Sequence, residues 1–293
     1  MRSLKDYQGN VISAAEAMAL IERLPRPKNP EPKNPEPKNP EPPSRISFSE
    51  GDFLTLEDLS CVDADGNIFE RYDRLDVARD IFRADGKQIN RTPYNHAVHC
   101  ESNGLFLPSF ALTCNIVARL YEGKSDAHAE KVLQQYKDRG DRFSYHAQNT
   151  IIAFGSSEII HYPSASDFSQ AAAVNASQRH VVLPFVKDSL EDALLKDALH
   201  DASTRRYVQQ LTGLKNPEVL IEIGKYFGKP ARVWFPWNGK AGKSFNETQS
   251  AWFGCDGTYF VLGADNGLND ANVARGARRR GGESSEPDAG GVK

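Results

Sequence analysis

The spacing of apolar residues and the positions of capping residues predict eight helical segments in this chain. Thr92 followed by Pro93, for example, is a cap next to a residue that suits the first helical position. Glycines end several of these patterns, because glycine readily adopts the left-handed backbone found at helix ends. The predicted helices cover residues 11–24, 72–84, 93–101, 108–121, 125–140, 188–199, 203–212 and 216–228.

A second group of segments has the apolar runs or the flanking turns that are typical of β-strands. Asp256-Gly257, a strong hairpin signal, separates two of them, and a turn around Gly155 separates two others. The predicted strands cover residues 150–154, 158–162, 181–185, 231–235, 250–255 and 258–262. Because helices fall in two groups and strands fall in hairpins, the sequence predicts an α+β fold with a mostly antiparallel sheet.

Residues 27–41 are three identical copies of the unit Pro-Lys-Asn-Pro-Glu, and nine of the 17 prolines lie between Pro25 and Pro43. Proline fixes φ and lacks a backbone donor, so this segment is predicted to be an extended polyproline II linker. The linker separates an N-terminal amphipathic helix from a globular α+β domain, which a disordered tail follows. These four parts are predicted at residues 1–24, 25–44, 45–279 and 280–293.

Composition and charge limit the function only broadly. Of the 293 residues, 39% are hydrophobic, which is enough for a buried core, and the formal net charge is −3. A small negative net charge does not favour binding to nucleic acid. The sequence contains no run of about 18 apolar residues that would predict a membrane span. The N-terminus lacks a secretory pattern and the four cysteines form no Cys-x-x-Cys pair, so we expect a cytoplasmic protein.

One cluster has the spacing of metal ligands. His96 lies three residues before His99 and four before Cys100 in the third predicted helix, so the three side chains share one face. Imidazole and thiolate are ligands of Zn²⁺, and in this hypothesis His146 or His161 completes the site. The alternative is a capped turn with partly exposed histidines and a buried Cys100.

A candidate catalytic centre lies at the ends of the first predicted hairpin. His146 precedes its first strand, His161 lies at the end of its second strand, and Asp167 follows in the next loop. Functional side chains are often found where strands end, and histidine is the commonest general acid–base residue. These residues predict an enzyme of hydrolase or transferase type, with its site near residues 146–149 and 161–163.

The order of Cys100 or Cys114, then His146, then Asn149 or Asp167 is similar to the order of functional residues in papain-like and transglutaminase-like enzymes. A reactive cysteine is favoured at a helix N-terminus, where the helix dipole lowers its pKa. Cys114 lies about two turns inside its predicted helix, on an apolar face. We therefore predict that Cys114 is a buried structural cysteine.

A function of another class stays open, that of a non-catalytic interaction or scaffold protein. The predicted helix 11–24 is carried on a stiff linker, so it must pack against its own domain or against another chain. In this alternative the linker presents helix 11–24 to a protein partner, and the domain serves as the scaffold. The positions of the histidines distinguish the two functions, because an enzyme centred on them requires that they lie together.

Overall fold

A computed structural model describes a large part of the chain between residues 50 and 280. The described residues are 50–84, 87–137, 144–154, 156–163, 180–185, 193–234, 248–266, 268 and 270–280. The chain divides into two units, Met1–Ser44 and Arg45–Lys293, and all described residues belong to the second. The predicted helix 11–24, the Pro-rich repeat, Asp167 and the tail after residue 280 lie outside the described residues.

The described residues form six α-helices and twelve β-strands. The helices are α1 (Pro93–Ser102), α2 (Phe110–Glu122), α3 (Ala127–Lys137), α4 (Leu195–Ala198), α5 (Ala202–Thr212) and α6 (Val219–Tyr226). The strands are β1 (Phe53–Val62), β2 (Ile68–Ala78), β3 (Arg83–Ala84), β4 (Lys87–Gln88), β5 (Ser144–Ala153), β6 (Glu158–His161), β7 (Val181–Pro184), β8 (Ala193–Leu194), β9 (Ala231–Trp234), β10 (Thr248–Cys255), β11 (Phe260–Asn266) and β12 (Ala277–Arg279).

The strands form one large sheet, one small sheet and a short hairpin of β3 and β4. The large sheet has seven strands in the order β7-β6-β5-β10-β11-β9-β8, and the small sheet has the order β1-β2-β12. All neighbouring strands are antiparallel except β9 and β11, which are parallel. The predicted α+β fold with a mostly antiparallel sheet is therefore confirmed.

Helix α2 lies between the two sheets and forms the centre of the core. Nine of its 13 residues are buried, and it packs against β1 of the small sheet and against β5 and β10 of the large sheet. The side chain of Ser109 caps it by accepting a hydrogen bond of 3.0 Å from the backbone N–H of Leu112. Helices α3, α5 and α6 pack around α2, so both sheets bury an apolar face against this helical layer.

Helix α1 covers the other face of the large sheet. Tyr94 of α1 belongs to an apolar cluster with Ile151 of β5, whereas Ile152 belongs to the main core around α2. Successive residues of a strand point to opposite faces of a sheet, so α1 and α2 lie on opposite sides of β5. The start of α1 is as predicted, because the side chain of Thr92 caps it by accepting a hydrogen bond from the N–H of Asn95.

The prediction of a helix at residues 72–84 is wrong, because residues 68–78 form strand β2. In the second half of β2 the apolar Leu75 and Val77 alternate with the polar Arg74 and Asp76, which is the period of a strand rather than of a helix. Strand β2 is hydrogen-bonded on one side to β1 and on the other to β12. Pairing with strands that are distant in sequence therefore decides the structure of this segment.

Among the described residues, no helix is both long enough and apolar enough to span a membrane.

Candidate functional site

The structure does not bring His146 and His161 together. His161 of β6 pairs opposite Thr150 of β5, whereas His146 lies four residues before Thr150 on β5 and pairs opposite Phe253 of β10. Four residues of an extended strand span about 13 Å, so the two imidazoles belong to different parts of the sheet. The third predicted catalytic residue, Asp167, lies outside the described residues.

His146 is a buried residue that packs against helix α3. Its Nε2 lies 3.2 Å from the carbonyl oxygen of Gln135, and its ring centroid is 4.6 Å from that of Tyr136. Both neighbours belong to the last turns of α3. The surroundings of His146 are thus those of a residue at the interface between a helix and a sheet.

His161 is held by hydrogen bonds at both ring nitrogens. Its Nε2 lies 3.0 Å from the carbonyl oxygen of Gln210, and its Nδ1 lies 2.8 Å from Oγ1 of Thr150. A carbonyl only accepts, so Nε2 carries the proton and Nδ1 accepts from the Thr150 hydroxyl. That hydroxyl in turn accepts from the backbone N–H of Phe110 at 2.9 Å. Burial lowers the pKa of His161 to about 4, although the hydrogen bond to Gln210 opposes the shift, so the ring is neutral.

The three proposed zinc ligands lie on α1, and all three are buried. Nε2 of His96 is 2.8 Å from the carbonyl oxygen of Asn272, while the ring of Phe82 stacks on His96 and meets His99 edge-on. Burial lowers the pKa of both histidines, to about 4 for His96, and raises the pKa of Cys100. Among the described residues, no group of three or more histidine, cysteine, aspartate or glutamate side chains is placed to hold a metal ion.

The zinc hypothesis stays a prediction. It requires the purified protein to contain about one equivalent of zinc, and it requires a chelator to lower the melting temperature.

The prediction that Cys114 is a structural cysteine is confirmed. Its side chain is fully buried in the main core, and burial raises the pKa of the thiol well above its usual range. A thiol that stays protonated is a poor nucleophile. Cys100 is also fully buried, so neither candidate thiol has the setting of a reactive cysteine.

A different group of titratable side chains lies where the small sheet meets the end of β6. Oε1 of Glu70 accepts two hydrogen bonds, one of 2.5 Å from the hydroxyl of Tyr72 and one of 2.7 Å from the hydroxyl of Tyr162. The second carboxylate oxygen, Oε2, is buried and accepts no hydrogen bond from any described nitrogen or oxygen. We call these three residues the Glu70 centre.

The elements of the fold explain why these three residues meet. Glu70 and Tyr72 are two residues apart on β2, so their side chains point to the same face of the small sheet. Tyr162 follows the last residue of β6, and its backbone N–H donates to the carbonyl oxygen of Asn149 at 2.8 Å. The ring of Phe106 packs against both tyrosines, with centroid distances of 5.9 Å to Tyr72 and 6.4 Å to Tyr162. The centre therefore joins two strands that are remote in sequence.

Burial dominates the electrostatics of the Glu70 centre. It raises the pKa of Glu70, while the hydroxyls of Tyr72 and Tyr162, the charge of Arg279 and the thiol of Cys61 act in the opposite direction. Burial also raises the pKa of Tyr72 and Tyr162 well above their usual range, and the nearby Glu70 adds to both shifts. The tyrosines therefore stay protonated and donate, and the carboxyl group holds its proton to a higher pH than an exposed glutamate does.

Tyr162 adopts a strained backbone conformation. Its φ is 55°, in the left-handed region that bulky residues rarely occupy, at a cost of about 1–3 kcal/mol. The neighbouring His161 is fixed by hydrogen bonds to Thr150 and Gln210, and Phe69 stacks on its ring at 5.5 Å. His161 thus anchors the end of β6, and the turn at Tyr162 aims the phenol at Glu70. Backbone strain of this kind is often found at functional sites.

The predicted corner at residues 161–163 contains one member of the Glu70 centre, Tyr162, but the sequence analysis missed Glu70 and Tyr72. One signal for them was present. If residues 68–78 are assigned as a strand, Glu70 and Tyr72 share a face. Their partner Tyr162, which follows β6, has no signal in the sequence, because it lies 92 residues from Glu70.

Comparison of the chain with protein-family models, with curated proteins and with solved structures finds no significant match.

Proposed function

We propose that this protein is an enzyme of hydrolase or transferase type in which Glu70 is the general acid–base group. The observation that carries the proposal is the convergence of two tyrosine hydroxyls on one oxygen of a glutamate whose other oxygen is buried. A carboxyl group with a raised pKa keeps its proton to a higher pH than an exposed glutamate does, which suits it to act as a general acid. The proposed acid–base residue is therefore Glu70 rather than the histidines that the sequence analysis favoured.

The roles of the three residues follow from their chemistry. When Glu70 is protonated, it gives its proton to the leaving group of the substrate. When it is ionised, it accepts a proton from the attacking water or hydroxyl. The hydroxyls of Tyr72 and Tyr162 fix the carboxyl group through Oε1. His161 positions Tyr162 and takes no part in proton transfer, because both of its ring nitrogens are already engaged.

A substrate screen tests the proposal with matched variants. Chromogenic esters, phosphates and glycosides would be offered to the wild-type protein, to Glu70→Gln and to the control Glu57→Gln. Glu57 lies on β1 of the same sheet and forms a surface ion pair with Arg74 at 3.3 Å. We expect one substrate class to be turned over, with a loss of about 100-fold or more in Glu70→Gln and no loss in Glu57→Gln. Turnover that survives Glu70→Gln would refute the proposal.

A second measurement does not depend on a substrate. Carbon-detected NMR of the glutamate carboxyl groups gives the pKa of Glu70 directly, with Glu57 as the reference signal. The proposal requires the pKa of Glu70 to lie above 4.5, the ordinary value for glutamate. It also requires a further rise in Tyr72→Phe, because the ionised carboxylate then loses a donor. A pKa of Glu70 at or below 4.5 would exclude it as the acid–base group. An absence of turnover on every class would favour the interaction protein that presents helix 11–24.

A further inference from the structure

Three consecutive arginines at the end of β12 have different surroundings. Arg278 and Arg280 point to the outer face of the small sheet and form ion pairs with the buried Asp76, at 3.1 Å and 3.6 Å. Arg279 pairs opposite Leu75 of β2, so its side chain lies on the opposite side of the sheet. Within the described part of the chain, the guanidinium of Arg279 takes part in no ion pair or hydrogen bond.

Arg279 lies against the Glu70 centre. Its guanidinium carbon is 5.0 Å from the centroid of the Tyr72 ring, and the hydroxyl of the same ring donates to Glu70. Its positive charge lowers the pKa of both Glu70 and Tyr72, against the larger effect of burial. Arg279 is exposed to solvent, whereas Tyr72 and Tyr162 are buried. The guanidinium therefore lies at the solvent side of the centre.

The chemistry of an arginine beside an aromatic ring points to its ligand. A cation–π contact with the Tyr72 ring limits the motion of the Arg279 side chain without using its N–H donors. The planar donors match the two oxygens of a carboxylate or phosphate, and such a paired contact is stronger than a neutral hydrogen bond. Arg278 and Arg280 already have a carboxylate partner in Asp76, but Arg279 has its donors available.

We propose that Arg279 is the residue that recognises an anionic group of the substrate, a carboxylate or a phosphate, beside the Glu70 centre. This inference rests on the proposed function of that centre. A substrate held by Arg279 would lie over the edge of Tyr72, with its neutral reacting group directed toward Glu70. The predicted substrate class is thus a small anionic molecule.

Anion binding tests the inference without a turnover assay. Inorganic phosphate and succinate would be titrated at constant ionic strength into wild-type protein, Arg279→Gln and the control Arg71→Gln. Arg71 is another exposed arginine of the small sheet, and it pairs with Asp73 at 3.3 Å. We expect one of the two anions to bind the wild-type protein and to bind Arg279→Gln at least about 10-fold more weakly, with no change in Arg71→Gln. Binding of phosphate alone identifies a phosphate group, and binding of succinate alone identifies a carboxylate.

Several outcomes would overturn the inference. The inference is wrong if neither anion binds the wild-type protein, or if Arg279→Gln binds the anion as tightly as the wild-type protein does. It is also wrong if Arg71→Gln loses as much affinity as Arg279→Gln, because the attraction would then be nonspecific. Arg279→Lys provides a second variant that keeps the charge but loses the planar donors, and we expect it to bind more weakly than wild type. Glu70→Gln separates the two proposals, because it keeps Arg279 and removes a nearby carboxylate, so it should not weaken anion binding. Anion binding without turnover would contradict only the proposed function, and turnover without anion binding would contradict only the role of Arg279.

Discussion

Gly213 is a glycine whose replacement should disturb the packing of the core. It ends α5 with a φ of 61°, in the left-handed region. A Cβ at this position would lie 2.8 Å from Cβ of Ala111 on α2 and 3.0 Å from Cβ of Cys61 on β1. Gly228, which follows α6, provides a matched control. Its φ is 69°, and nothing lies within 4 Å of a Cβ built there.

The two glycines separate backbone strain from steric overlap. A left-handed backbone costs an L-residue about 1–2 kcal/mol, and this cost applies to both Gly213→Ala and Gly228→Ala. Overpacking of a core adds about 1–3 kcal/mol, and it applies only at position 213. The atoms that a new methyl group would meet are Cβ atoms, which cannot rotate away. We therefore expect Gly213→Ala to lower the free energy of unfolding by about 2–5 kcal/mol and Gly228→Ala by about 1–2 kcal/mol.

Urea denaturation of the two variants measures how much each substitution lowers the free energy of unfolding. The dependence of the free energy on urea concentration should stay unchanged, so that the midpoint alone reports the loss of stability. Equal decreases in the free energy of unfolding of the two variants would refute the close packing of α5, α2 and β1 around Gly213. The result also bears on the candidate site, because the carbonyl oxygen of Gln210 in the last turn of α5 holds His161.

Three further predictions concern other buried polar groups and thiols. Burial lowers the pKa of His161 from 6.5 to about 4, so the unfolded chain binds this proton at a higher pH than the folded protein does. His161 should therefore lower the free energy of unfolding by about 3 kcal/mol as the pH falls from 6.5 to 4, in addition to the similar contribution of His96. In urea titrations, His161→Gln should make this pH dependence weaker but not abolish it, and the exposed His200→Gln should leave it unchanged. In the same assay, Asp76→Asn should lower the free energy of unfolding by about 1–3 kcal/mol, because it weakens two ion pairs of a carboxylate that is 1% exposed. The control Asp73→Asn, whose ion pair with Arg71 is exposed, should lower it by less than about 0.5 kcal/mol. Cys114 should resist alkylation until the protein unfolds, and fast labelling of the native thiol would contradict its burial.

Local signals in the sequence were enough to predict much of the fold. Thr92 caps α1, and Asp256-Gly257 lies in the turn between β10 and β11, because caps and turns depend only on neighbouring residues. The segment at residues 72–84 was assigned wrongly for the opposite reason. Asp76 is stabilised by Arg278, which lies 202 residues later in the chain. No local pattern contains such a partner.

The candidate site was less predictable than the fold. The corner at residues 161–163 was predicted from the end of a strand, and Tyr162 lies there with its hydroxyl hydrogen-bonded to Glu70. The imidazole of His161 faces Thr150 and Gln210 instead of His146, because the strand register sets the separation of the two histidines along β5. Register depends on the pairing of whole strands, so spacing in the sequence alone does not determine it.

The energetics of the Glu70 centre favour a chemical role over a structural one. Burial of a carboxylate costs several kcal/mol, and the left-handed backbone of Tyr162 costs about 1–3 kcal/mol. Hydrogen bonds to a charged group contribute about 1.5–3 kcal/mol each, and Glu70 accepts two of them from Tyr72 and Tyr162. Apolar side chains would connect β2 to the end of β6 at a lower cost, since buried ionic groups are commonly no more stabilising than packed hydrophobic ones. A buried carboxylate with two fixed donors and a raised pKa is instead what proton transfer requires, and this supports the proposed enzyme over a scaffold.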